Sequence, residues 1–165
     1  MGVFFWHQWA RLVALTAGIY GVWAGFWGIL FRKFFWDFIG GVLFAPPKGA
    51  ANPFSGGMIP AKSAAPFIAI IVTIPLVQIV TIIMALTLAL LEWPAPIMKK
   101  LPIYRSFAFR IVWLLLLAFV SVLFYQGTNV ALYSLTAAIG YIRAQMKGEL
   151  MEEAKENRGK EGARA

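Results

Sequence analysis

The stretch IVWLLLLAFVSVLFYQGTNVALYSLTAAIGYI, residues 111–142, runs thirty-two residues without a charged side chain. As one helix, at 1.5 Å per residue, it would reach about 48 Å, well beyond the roughly 30 Å hydrocarbon core of a bilayer. It is too long for one crossing, and its middle holds the polar, turn-forming cluster Gln126-Gly127-Thr128-Asn129. Dividing it there predicts two crossing helices, over residues 103–125 and 130–146. Arg105 and Arg110 then reach for headgroups at the start of the first, and Arg143 sits near the end of the second. Two more uncharged stretches lie upstream, twenty residues between Arg11 and Arg32 and twenty-nine from Ser63 to Leu91. The expected fold is all-α, an integral membrane four-helix bundle with spans over 12–31, 67–91, 103–125 and 130–146. These form one domain, residues 1–146, followed by a charged tail, 147–165.

Composition agrees with a bilayer as solvent. Of 165 residues, 61% are hydrophobic and 13% charged, against about 25% charged in a soluble domain. There is no cysteine, which excludes disulfides, thiolate metal sites and cysteine nucleophiles, and His7 is the single histidine. A haem held by two histidines therefore cannot be built from one copy of the chain. The net charge of +8 flanks apolar segments, the pattern of membrane orientation rather than of nucleic-acid binding. The first apolar run exceeds the 7–15 residues of a cleavable signal core and no A-x-A site follows it, so it reads as an uncleaved span. No N-x-[ST] acceptor occurs, and Trp6 stands where myristoylation wants Ser or Thr.

Between the first two spans, residues 34–39 are aromatic and suit the membrane interface, within a Pro- and Gly-rich loop over 32–66. Pro75 interrupts the second span, leaving the Ile71 carbonyl without its helical donor and predicting a kink. With four spans, eleven basic residues fall on the side of the termini (Arg11, Lys99, Lys100, Arg105, Arg110, Arg143, Lys147, Lys155, Arg158, Lys160, Arg164) and four on the other (Arg32, Lys33, Lys48, Lys62). That bias puts both termini in the cytosol. The tail reads as helical up to Glu156.

The first span carries Ala17, Gly21 and Gly25 at spacing four, beside Ala14-Gly18 and Ala24-Gly28. This small-residue ridge permits close helix contact, with another span of the chain or with a partner helix. His7 lies with Trp6 and Trp9 in what reads as an interfacial aromatic belt. Thr73, Gln78, Thr81 and Thr87 read as interhelical hydrogen-bonding groups. No ionisable residue falls near the middle of a span, so proton pumping or ion transport lacks its usual machinery, and a channel lacks a polar lumen. No phosphate loop and no His or Cys cluster is present. The residues describe a catalytically silent bundle whose function depends on what it binds.

Four local features point further. The chain opens Met1-Gly2 with Trp6 and Trp9. The second span ends Leu90-Leu91-Glu92-Trp93-Pro94. Arg105 and Arg110 have four residues between them, two of them aromatic. From Arg110 the pattern runs without a gap through Tyr141 to Lys147-Gly148-Glu149. In this order they resemble the p22-phox-type light chain of the NADPH oxidase flavocytochrome b, and are similar to its fungal, NoxD-type branch. The resemblance covers roughly residues 1–30 and 88–149. It departs from the animal members in a longer loop before the second span and in a tail with no proline after Pro102, so SH3 docking through the tail is not expected.

The resemblance implies a non-catalytic subunit that binds, stabilises and matures the catalytic oxidase subunit as a 1:1 heterodimer. It would support reactive-oxygen signalling in development from the endoplasmic reticulum, with the plasma membrane or vesicles as further locations. Haem, FAD and NADPH would belong to that partner, with no cofactor, metal or catalytic residue in this chain. Gly21, Gly25, Glu92, Trp93, Pro94, Arg105 and Arg110 are the residues expected to face the partner. For Glu92 and the arginines the competing expectation is a local ion pair with snorkelling to anionic headgroups. The competing function is a general endoplasmic-reticulum assembly factor or lipid-shaping protein with no stable oxidase partner.

Overall fold

The computed structural model describes residues 5–32, 63, 65–93 and 106–149. Among them every regular element is helical. The first helix, α1 (Trp6–Phe31), has 26 residues and spans about 39 Å. Among the described residues it is the one unbroken helix long and apolar enough to cross a membrane. It closes on Arg32 in the left-handed region, φ 33°, whose N–H bonds the Gly28 carbonyl at 2.9 Å. Every buried position of α1, from Ala10 to Gly28, is alanine or glycine, while Leu12, Ile19, Trp23 and Leu30 face outward. A helix in a water-soluble core shows the opposite, large apolar side chains inward; small residues inward is the way helices meet in lipid.

The next segment was expected as one kinked helix over 67–91 and is broken instead. Helix α2 (Ala65–Ile68) runs into a π-turn (Ala69–Thr73), and α3 (Leu76–Glu92) leaves at an angle of 64°. Pro75 has no N–H, so the Ile74 N–H reaches back to Ala69 at 2.7 Å. The freed Ile71 carbonyl is not left bare: the fully buried Gln78 side chain donates Nε2–H to it at 2.8 Å. Thr81 and Thr87 bond their own helix, to the Val77 and Ile83 carbonyls at 2.9 Å each. This corrects the expectation of interhelical bonds there, because a threonine hydroxyl finds the carbonyl four residues back without leaving its helix.

Helix α4 (Phe107–Ser121) starts later than residue 103 because the Ser106 hydroxyl caps it, accepting the Phe109 N–H at 3.2 Å. A 3₁₀ turn (Tyr125–Gly127) leads into α5 (Thr128–Met146), at the polar cluster where the long apolar stretch was divided. Helix α1 packs on α3 and α5, and α4 closes the ring against α5 and α3. The aromatic stretch 34–39, nearly all of the loop 32–66, and the tail beyond 149 lie outside the described residues.

Candidate functional site

One end of the ring gathers a charged residue or a phenol from each of the four long helices. Arg11 comes from α1, Glu92 from the last turn of α3, Arg110 from the first turns of α4 and Tyr141 from α5. Arg110 Nη1 stands 3.3 Å from Glu92 Oε2, and Arg110 Nη2 donates to the Leu91 carbonyl at 3.2 Å. The Tyr141 hydroxyl donates to the same Glu92 oxygen at 2.8 Å, and the Arg110 guanidinium lies 5.7 Å from the Tyr141 ring centroid. Arg11 Nε donates to the Glu92 carbonyl at 2.9 Å. Glu92 and Arg110 are each 1% exposed and Tyr141 is fully buried. The expectation that Arg110 snorkels to headgroups is corrected: facing Glu92, its charge is compensated inside the bundle, and reaching for water would strip that carboxylate of its ion-pair partner.

Beside this cluster, the first and last turns of the bundle are tied together. Phe5, at the N-cap of α1, supplies no capping side chain. The missing acceptor comes from 142 and 143 residues away: Glu149 Oε1 accepts the Trp6 N–H at 3.1 Å, and Oε2 accepts the His7 N–H at 3.0 Å and faces His7 Nδ1 at 2.8 Å. A carboxylate at a helix N-terminus meets free N–H groups and the positive end of the helix dipole. Gly148, with φ 66°, makes the turn that aims Glu149 there. The Gly148 N–H bonds Gln145 at 3.0 Å and the Glu149 N–H bonds Ala144 at 3.0 Å, the paired bonds of a Schellman C-cap. Partial burial pushes the Glu149 carboxyl up, and the His7 and Trp6 hydrogen bonds outweigh this and hold it below its ordinary value. Arg143 and Lys147 lie over the Trp6 ring, 5.4 and 5.5 Å from its centroid. His7, read from sequence as part of an aromatic belt, is thus the partner of Glu149.

Of the residues expected at a partner interface, the structure brings Glu92 and Arg110 together and buries both. Gly21 and Gly25 face the chain's own helices. A Cβ on Gly21 would stand 2.7 Å from Ala85 Cβ, and one on Gly25 would stand 2.5 Å from Ile82 Cγ1 and 3.1 Å from the Gln78 carbonyl. The neighbours described for these four residues lie on α1, α3, α4 and α5 of the same chain. Trp93 is 59% exposed at the edge of the cluster. Pro94 and Arg105 lie outside the described residues. Sequence reading missed Tyr141 as the third member of the cluster and Glu149 as the cap of α1. A tyrosine and a glutamate within motifs already singled out were the available signals. Among the described residues no group of three or more His, Cys, Asp or Glu could hold a metal.

Small residues inward, large apolar residues outward and charges neutralised at one end define an all-helical bundle built on close backbone contact. The chain belongs to the family described as a domain of unknown function, DUF7727, which matches residues 1–149. No curated protein and no solved structure matches it.

Proposed function

We propose that the chain is a four-span membrane subunit, both termini cytosolic, that binds, stabilises and matures the catalytic subunit of a superoxide-generating NADPH oxidase. The observation that supports this best is where the motifs of the resemblance meet. The opening Trp6, the Leu91-Glu92 end of α3, Arg110, Tyr141 and the closing Glu149 converge on two adjacent clusters at one end of the bundle. Motifs far apart in sequence that assemble into one device are expected of a shared architecture rather than of chance similarity. Four crossings are favoured by the outward faces of α3, α4 and α5, where Ile83, Val112, Phe119, Leu132 and Ile139 are all more than half exposed. Orientation is favoured by charge: among the described residues Arg11, Arg110, Arg143 and Lys147 lie at the cluster end and Arg32 at the other.

The role is one of binding. A subunit that engages only the folded partner raises that partner's stability by mass action. With one histidine in the sequence, engaged with Glu149, two-histidine haem ligation falls to the partner, as do FAD and NADPH. Deleting the chain should remove haem-loaded catalytic subunit from the membrane fraction while leaving its transcript unchanged. Undiminished haem-loaded subunit in the deletion strain contradicts the proposal.

A further inference from the structure

We propose that the groove between the outer face of α1 and the start of α5 binds a membrane sterol, its hydroxyl held at the α4–α5 turn. Two adjoining cavities form the groove. One, of about 300 Å³, is lined by Tyr20, Trp23, Trp27, Gln126, Thr128 and Asn129 among others. The second, of about 370 Å³, is lined by Thr16, Ile19, Tyr20 and Trp23, so Tyr20 and Trp23 join the two. Tryptophans set its depth. Trp6, beneath Arg143 and Lys147, marks one headgroup level. Trp27 lies twenty-one residues further along α1, about 32 Å of helix against a core of roughly 30 Å. The polar turn residues share a cavity with Trp23 and Trp27 and so open just inside that second level. From Trp27 to Thr16 the groove covers eleven residues, about 16 Å of helix, close to the roughly 15 Å of one leaflet.

The lining selects the head of the ligand. No charged side chain lines either cavity, so a phosphate finds no counter-charge there. Asn129 Nδ2 donates to the Tyr20 hydroxyl oxygen at 3.5 Å, a long contact. Among the described residues the phenol's own proton and Asn129 Oδ1 have no partner. Asn129 is exposed, Tyr20 is half-buried, and both line the cavity, so a ligand reaches this pair. Polar groups left open against hydrocarbon are costly. A single alcohol oxygen answers both, accepting from Tyr20 and donating to Asn129. The lining also selects the body. Trp23 and Trp27 meet edge to face at 70°, their centroids 5.5 Å apart, and with Tyr20 they offer flat walls. Deeper in, Thr16 spends its hydroxyl on the Leu12 carbonyl at 3.0 Å, leaving its methyl and the exposed Ile19 as an apolar floor. A rigid fused-ring body lies along such walls with little loss of freedom, whereas a flexible diacylglycerol must be ordered first. This site does not depend on the oxidase reading; it requires only that α1 and the α4–α5 hairpin cross a bilayer.

The test is photolabelling of the purified full chain, in phosphatidylcholine nanodiscs, with a diazirine-bearing cholesterol analogue, mapped by mass spectrometry of the labelled peptides. Label should fall within residues 16–27 and 125–129. Unlabelled cholesterol should displace it about fivefold better or more than the 3-ketone, which cannot donate to Asn129, or than diacylglycerol. Tyr20→Phe keeps the ring and should weaken cholesterol by about two- to tenfold, the factor for one hydrogen bond. Thr16→Trp, at an exposed position, fills the floor of the groove and should lower labelling while helix content and melting stay those of the parent, so the inference remains testable if the Tyr20 variant fails to fold. Label spread evenly over the other outward helix faces, equal displacement by the ketone or by diacylglycerol, or unchanged labelling in Thr16→Trp would overturn the assignment.

Discussion

Breaking the Glu92–Arg110 pair from either side should destabilise the bundle strongly, and removing both partners should cost little more than removing one. Arg110→Met deletes the contact to Glu92 at 3.3 Å and the bond to the Leu91 carbonyl at 3.2 Å. Among the described residues it leaves a carboxylate of 1% exposure with Tyr141 as its side-chain donor. Stranding one member of a buried pair costs about 3–5 kcal/mol. The 3.3 Å separation is longer than the 2.7–2.9 Å of the strongest charge-assisted bonds, which places the expectation near 3 kcal/mol, on the order given for such pairs. Glu92→Leu strands the guanidinium instead and should cost about the same. If the terms were independent the double variant would lose about 6 kcal/mol. With the pair as the shared cause it should lose about 3, a coupling of about 3 kcal/mol. The assay is reversible unfolding in mixed micelles followed by far-ultraviolet circular dichroism, run as a double-mutant cycle. Single losses below about 1 kcal/mol that simply add would mean the pair behaves as an exposed one, refuting the reasoning from burial.

Four further outcomes are expected. Gly25→Leu places atoms against Ile82 and the Gln78 carbonyl and should lower this chain's own stability by at least about 1–3 kcal/mol in the same unfolding assay, before any effect on a partner. Gln78→Leu removes the donor to the Ile71 carbonyl and should cost about 1–3 kcal/mol, with faster amide exchange around Ile74. Tyr141→Phe keeps the ring against Phe107 but loses the hydroxyl on Glu92, at about 1 kcal/mol by thermal unfolding. The Glu149 carboxyl, held below its ordinary value, stabilises the start of α1 above the ordinary carboxylate pKa and loses that contribution as pH falls through its lowered value. Hydrogen-exchange protection factors at Trp6 and His7 should therefore fall as pH drops below the ordinary carboxylate range, and Glu149→Ala should show that reduced protection already at neutral pH.

The long elements were legible because each lies within an uncharged apolar stretch long enough for a helix. Charge-free stretches located α1, α3, α4 and α5, and Gln126 to Asn129 marked the turn between the last two. Starts and stops were less legible. The Trp6 start of α1 depends on a carboxylate 143 residues away, which no local pattern announces, and the late start of α4 turns on one serine hydroxyl. Pro75 announced a bend, but its size of 64° reflects a π-turn that Gln78 and Ile74 make tolerable. At the site, Glu92 and Arg110 were visible as charges beside apolar spans. That they face each other depends on the close approach of α3 and α4, which periodicity does not specify. The glycine ridge was legible as a contact surface; its partner, α3 and α5 of the same chain, was not, since close packing within and between chains uses the same residues.

The measurement that bears most directly on the proposed function is purification of the tagged full chain in a mild detergent from cells that contain the oxidase. The eluate is examined by dithionite-reduced absorption and by mass spectrometry. A b-type haem signal, together with a flavin-binding oxidase polypeptide in near-equal amount, is the result expected. A colourless eluate, in a detergent shown to preserve that oxidase's other contacts, would contradict a permanent subunit and leave a transient assembly factor or an unrelated membrane bundle.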